Sequence, residues 1–193
     1  MWYLDQNSLI MNPELTVEGH IMNTKRLEGL MIRDQSIVPP DSVIKTFGHL
    51  KGNQVDFVLT QDKDGLAQGS FIIRRGEWSK FFLDTWFDPL YRSYNFQKAD
   101  THALVSISRS SSVKILNVDQ EHIVQWHPTI LSKLGLIPQR IMNAYSKEGA
   151  AGDGTYKDGD LVIRFAGCDK VGRDCAAEAE PFSKQWKTAF RVQ

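Results

Sequence analysis

An apolar run, Trp2-Tyr3-Leu4, stops on a carboxylate, Asp5, and continues as Gln6-Asn7-Ser8 before a second apolar run, Leu9-Ile10-Met11. A carboxylate at the end of a strand is where an α/β fold presents ligand-binding groups. Two carboxylates one residue apart would hold a hard divalent cation that keeps several waters and binds phosphate oxygens. Here the second position of such an Asp-x-Asp is Asn7, a neutral amide. A lone Asp at a strand end is equally an ordinary turn or capping residue.

Other residues compete for chemical roles. Arg74 and Arg75 could meet phosphate, although a solvated strand end or a surface ion pair is the plainer reading. Asp62 and Asp64 could ligate a cation, yet Asp62-Lys63-Asp64-Gly65 is also turn composition. His20, His122 and His127 have no zinc-motif spacing and read as surface or packing histidines. Cys168 and Cys175 are the only cysteines, compatible with one short-loop disulfide or with two reduced thiols.

Elements must position these groups. Residues 2–5 read as a buried strand, residues 22–34 as a helix, and residues 55–60 as a second strand followed by a turn. Phe71-Ile72-Ile73 makes a third short strand. Trp78, Phe81, Phe82 and Trp86 then fall on i, i+3, i+4 and i+8, one apolar stripe of a core-facing helix. Residues 160–168 read as a last strand running into a turn that Gly167 permits. Alternation of strands and helices gives an α/β class.

Residues 105–120, serine-rich and β-branched, interrupt a segment that is helical on both sides. Without them, Leu104, Ile123 and Val124 share one helical face. The interruption is either a β-hairpin insertion turning near Arg109 or a translated short intron, since valine codons begin with a splice donor's GT and one glutamine codon is an acceptor's CAG.

Size and charge narrow the classes. The 193 residues can bury one sizeable core, and 23 basic side chains balance 23 acidic ones. Nothing draws the chain to nucleic acid or to an anionic membrane. No run approaches the roughly 20 apolar residues needed to cross a bilayer. An apolar strand directly after Met1 is expected of a chain that starts inside a larger domain, with unpaired sheet edges and little activity of its own.

Four segments occur in one order: residues 2–13 (Trp-Tyr-Leu-Asp-x-x-x-Leu-Ile-Met-Asn-Pro), Gly69-Ser70-Phe71-Ile72-Ile73-Arg74 with Trp78, residues 121–127, and Phe165-Ala166-Gly167-Cys168. Together they resemble the fungal Golgi galactosyl- and α-1,6-mannosyltransferase family (glycosyltransferase family 34), which includes the plant xyloglucan xylosyltransferases. The resemblance spans most of the chain outside 105–120.

That resemblance implies the C-terminal part of a GT-A type, Rossmann-like domain beginning at the Asp-x-Asp region. The intact protein would be a type II Golgi membrane protein with a lumenal catalytic domain, its anchor absent from this sequence. It would transfer a hexose with retention, mannose from GDP-mannose or galactose from UDP-galactose, to a glycan. A non-catalytic subunit of a mannosyltransferase complex, beside other subunits, is the alternative.

By the same resemblance, Asp5 and Asn7 fall on the manganese motif, and Asp5, Gly69, Ser70 and Arg164 on the donor site. Arg164 stands where the family often has a metal-binding histidine. Asp100 lies near the donor–acceptor junction, beside Thr101 in place of a frequent glutamine. An amide removes a full charge from a divalent site, and a guanidinium cannot ligate a metal. Either Arg164 supplies positive charge directly to phosphate oxygens, without metal, or the site has decayed.

Overall fold

The computed structural model describes residues 1–37, 45–63, 65–87, 131–147, 152–170 and 172–190. In chain order these form β1 (Trp2–Leu4), β2 (Ser8–Ile10), a π-helical turn (Glu18–Met22), α1 (Thr24–Leu30), β3 (Phe57–Asp62), β4 (Gly65–Ile73), α2 (Glu77–Trp86), β5 (Leu134–Ile137), β6 (Ala144–Tyr145), β7 (Val162–Arg164) and α3 (Cys175–Phe190). Residues 100 and 105–120, and with them Asp100 and the interruption, lie outside the described residues.

One sheet has the order β1-β4-β3-β5. β4 is antiparallel to both β1 and β3, and β5 is parallel to β3. It follows that β1, β3 and β5 all point the same way. Their carboxyl ends, carrying Asp5, Asp62 and Pro138, share one edge of the sheet with the amino end of β4.

The period-2 alternation of strands splits the core in two. Phe57, Leu59, Phe71 and Ile73 face α2, where Phe82 and Trp86 meet them at ring separations of 4.9 Å (Phe57–Phe82) and 5.2 Å (Phe71–Trp86). Val58 and Ile72 face the other way, against Leu27 of α1 and Ile21 of the π-helical turn. Helices thus cover both faces of a mixed sheet, as the α/β reading requires.

A second sheet, β2-β7-β6, pairs β2 antiparallel and β6 parallel to β7. α3 covers it, setting Ala179, Phe182 and Trp186 beside Ile163 and Phe165. Asp174 caps α3, its Oδ1 accepting the amides of Ala176 (2.8 Å) and Ala177 (3.2 Å). Cys168 and Cys175 form a disulfide that ties the turn after β7 to the start of α3. The sheets are joined inside by Asn143 Nδ2 donating to Thr60 Oγ1 at 3.0 Å.

Several expectations shift. β1 is not fully buried: it pairs on one side only among the described residues, and Tyr3 is 45% exposed. The expected 22–34 helix is α1 alone, because Asn23 caps it afresh (Arg26 N to Asn23 Oδ1, 3.3 Å) and Met31 is already extended. β4 begins at Gly65 rather than at Phe71, since its ladder with β3 and its burial outweigh weak strand propensity. In α2, Phe82 and Trp86 are core, whereas Phe81 is 55% exposed. Gly167, at φ +68°, makes the turn expected after β7. Among the described residues no helix is long and apolar enough to cross a membrane.

The packing of α3 carries a pH dependence. Arg173 binds both Glu178 carboxylate oxygens (2.8 and 2.6 Å), and Lys147 reaches Oε1 at 2.9 Å. Those bonds hold the Glu178 carboxyl well down, to about 2 from an ordinary 4.5. A depressed carboxyl contributes stability above its unfolded value and loses it as pH falls toward the folded one. The melting-temperature difference between wild type and Glu178→Gln should therefore be full above about pH 5 and shrink between about pH 4.5 and 2. A difference that stays constant down to pH 2 would contradict this coupling.

Candidate functional site

The carboxyl edge of the first sheet is where Asp5 emerges. Its amide donates to Gly69 O on β4 (2.9 Å), continuing the ladder by one residue, and its Oδ1 accepts the Asn7 amide at 2.7 Å. Asn7 O in turn accepts the Phe165 amide (2.8 Å), which docks the end of β7 against this turn. The register pairs Arg164 with Ser8 on one side and Tyr145 on the other. Direct neighbours across a ladder project to the same face. The Arg164 and Tyr145 side chains are therefore aimed together.

Arg164 closes the site. Its Nη2 donates to Asp5 Oδ2 at 2.7 Å, and its Nη1 to the Tyr145 hydroxyl at 3.1 Å. Tyr145 passes the chain on by donating to Asp62 Oδ2 at 2.7 Å. One continuous hydrogen-bonded line, Asp5–Arg164–Tyr145–Asp62, thus joins the ends of β1 and β3 through the second sheet. Both members of the ion pair are largely covered, with side-chain exposures of 15% for Arg164 and 23% for Asp5.

Gly69 makes this geometry possible. A Cβ on it would lie 2.0 Å from Arg164 Cζ and 2.2 Å from Nε. The missing side chain is used to seat the guanidinium flat on β4. Ser70, expected beside it on the donor sugar, is fully buried, and its hydroxyl accepts the Trp2 indole N–H at 3.1 Å. Two buried polar atoms on the β7 side, Ser8 Oγ and Arg164 Nε, have no protein partner. Orphaned groups of this kind concentrate where ligands or water act.

Burial pushes the Tyr145 hydroxyl well above its ordinary value, and the Asp62 carboxylate adds to the rise while Arg164 opposes it. Tyr145 therefore stays protonated and keeps donating to Asp62. Burial works against the charge of Arg164, but its contacts with Tyr145 and Asp5 more than offset that and raise its value. Arg164 is a fixed cation.

A divalent ion does not fit these residues. Both Asp5 oxygens are engaged, one by the Asn7 amide and one by a guanidinium, and like charge repels a metal. Among the described residues no group of three His, Cys, Asp or Glu side chains is placed to hold a metal. The manganese set expected of Asp5 and Asn7 is replaced by an internal ion pair.

Other candidates scatter. Arg74 and Arg75 are exposed at the opposite, amino edge of the sheet, where Arg74 faces Asp56 at 3.6 Å. They are the surface groups expected. His20 lines a cleft beyond Asp62; His122, His127 and Asp64 lie outside the described residues. Sequence reasoning missed Tyr145 and weighed Asp62 as a cation ligand or a turn residue.

A mixed sheet gathering a carboxylate, a guanidinium and a tyrosine at its carboxyl edge has the layout of an α/β ligand-binding domain. The chain belongs to the galactosyl transferase GMA12/MNN10 family, whose model matches residues 1–176. It is 31% identical over 188 residues to an uncharacterized alpha-1,2-galactosyltransferase of Schizosaccharomyces pombe, covering 95% of this chain and 45% of that one. It is likewise 31% identical over 207 residues to the probable alpha-1,6-mannosyltransferase MNN10 of Saccharomyces cerevisiae, covering 98% and 48%. An alpha-1,2-galactosyltransferase of Schizosaccharomyces pombe is 30% identical over 174 residues, covering 88% and 41%. The chain spans about half the length of these curated relatives or less. No solved structure matches.

Proposed function

We propose that this chain is part of a GT-A hexosyltransferase domain that transfers mannose from GDP-mannose, with retention of configuration, to a glycan in N-glycan or mannan elongation. The observation that carries the reading is the Arg164–Asp5 pair at the carboxyl edge of the sheet, where the resemblance puts the donor diphosphate. An acceptor hydroxyl attacks the anomeric carbon while the nucleoside diphosphate leaves from the same face. The protein's share is alignment and charge stabilisation of the leaving group. Arg164 provides that charge in place of manganese, and Asp100 binds donor or acceptor hydroxyls. The disulfide supports a lumenal Golgi placement, because such bonds persist in oxidising compartments.

A second reading, a non-catalytic subunit within a mannosyltransferase complex, draws on the same pair. Asp5 and Asp62 both lie on the line that contains the Arg164 cation, so these three groups sum to a net negative charge. A third, transfer of galactose from UDP-galactose, draws on the galactosyltransferase relatives. Full-length protein assayed with GDP-mannose and UDP-galactose, with and without EDTA, separates them. Chelator-insensitive transfer of mannose is the expected result. Chelator-sensitive turnover sinks the metal-free site, preference for UDP-galactose supports the third reading, and no turnover with either donor supports the subunit.

A further inference from the structure

Arg164 is held by two contacts of different kinds. Its Nη1 donates to the Tyr145 hydroxyl, and Tyr145, only 2% exposed, donates onward to Asp62, so this contact is built into the core. Its Nη2 donates to Asp5 Oδ2 at the rim, where Asp5 is 23% exposed and directly follows the last residue of β1. The rim contact is the one a ligand can reach.

That rim contact is also incomplete. Nε and Nη2 present parallel N–H groups along one edge of a guanidinium, and an oxyanion that takes both makes the stronger, bidentate form of the pair. Asp5 takes Nη2 alone, because its other oxygen accepts the Asn7 amide at 2.7 Å. Arg164 Nε is left buried without a partner among the described residues, and so is the hydroxyl of Ser8, its neighbour across the β2–β7 ladder. A phosphoryl group carries three strong acceptor oxygens and can serve such donors together. Charge makes the two occupants exclusive. Asp5, Arg164 and Asp62 already sum to one net negative charge, so an anion gains at Arg164 only as Asp5 withdraws. Rotation of one short side chain toward solvent withdraws it, while Tyr145 keeps its hold on the guanidinium.

We infer that Asp5 is an internal competitor at the oxyanion seat of Arg164: its carboxylate fills the place of a phosphoryl oxygen in the unliganded protein and turns aside when a diphosphate takes the Nε–Nη2 edge. The identity of that diphosphate as part of the sugar donor rests on the hexosyltransferase reading, whereas the competition itself does not. The carboxylate that a metal-dependent site needs most is here the group that opposes the ligand.

Full-length protein in EDTA, titrated with inorganic diphosphate by calorimetry, tests this. A competitor that closes the seat about nine-tenths of the time weakens apparent affinity about tenfold, so Asp5→Asn should bind inorganic diphosphate about tenfold more tightly than wild type. Direct competition persists when long-range fields are screened, so that gain should hold within about twofold between about 0.1 and 0.5 M NaCl. Should Asp5→Asn not fold, Asp5→Ser, which keeps an oxygen for the Asn7 amide, gives the same comparison. Unchanged or weaker binding by the folded variant, a gain that vanishes in salt, or no binding by either protein overturns the competition. Metal-free mannose transfer with no gain on Asp5→Asn would remove the competitor and leave the hexosyltransferase reading standing. A tenfold gain without turnover from any donor would support the competitor and remove the catalytic reading alone.

Discussion

Replacing Gly69 by alanine is expected to cost about 3 kcal/mol of folding stability and to abolish any transfer activity. The methyl group would fall 2.0 Å from Arg164 Cζ. The end of an arginine can swing away from a methyl cheaply. What cannot be replaced are the bonds it abandons, at 2.7 Å to Asp5 and 3.1 Å to Tyr145. Breaking a buried pair by displacing one partner costs about 3–5 kcal/mol, and the partial exposure of both groups puts this case at the lower end. For a chain of this size that corresponds to a fall of about 6–12 °C in melting temperature. Arg164→Ala should cost a similar amount for the same reason.

The combination identifies the cause. Once the guanidinium is gone, the space over β4 is open, so Gly69→Ala in an Arg164→Ala background should cost about 0.5 kcal/mol or less. A double-mutant cycle measured by chemical denaturation reads this directly. Equal costs in the two backgrounds would mean that Gly69 serves β4 and not Arg164.

The residues that make this site differ in how far the sequence revealed them. α2 was legible because Phe82 and Trp86 repeat at helical spacing around a single core face. Asp5 and Arg164 were legible as chemistry, but they lie 159 positions apart, and only the register of β2 with β7 shows that they touch. Tyr145 was not legible: β6 is two residues long and offers no period to read. Gly69 was placed on the donor site by resemblance, but nothing local showed that the space over it holds a side chain from a distant strand. α3 escaped attention because Pro181 lies inside it, and its apolar residues gain meaning only from the Phe165 surface they cover. Local pattern specifies elements, while the site is set by pairings between elements remote in sequence.

The same turn predicts how a metal centre could be built. Arg164 bonds Asp5 Oδ2, Asp5 Oδ1 accepts the Asn7 backbone amide, and the Phe165 amide is bonded to Asn7 O, so residues 5, 7 and 164 meet at one turn. Arg164→His removes the cation beside Asp5 and supplies an imidazole, and Asn7→Asp supplies the second carboxylate. The doubly substituted protein would present two carboxylates and one imidazole at one strand end, an ordinary donor set for manganese. In differential scanning calorimetry it should gain about 2.7 kcal/mol when manganese is supplied at 100 times the dissociation constant. That is a rise of roughly 5–10 °C for a protein of this size. Wild-type protein should not shift at the same concentration, because its Arg164 already holds Asp5. A manganese-induced rise in the wild type would refute the ion-pair replacement. No rise in a folded double variant would mean that Asp5, Asn7 and residue 164 do not converge on one point.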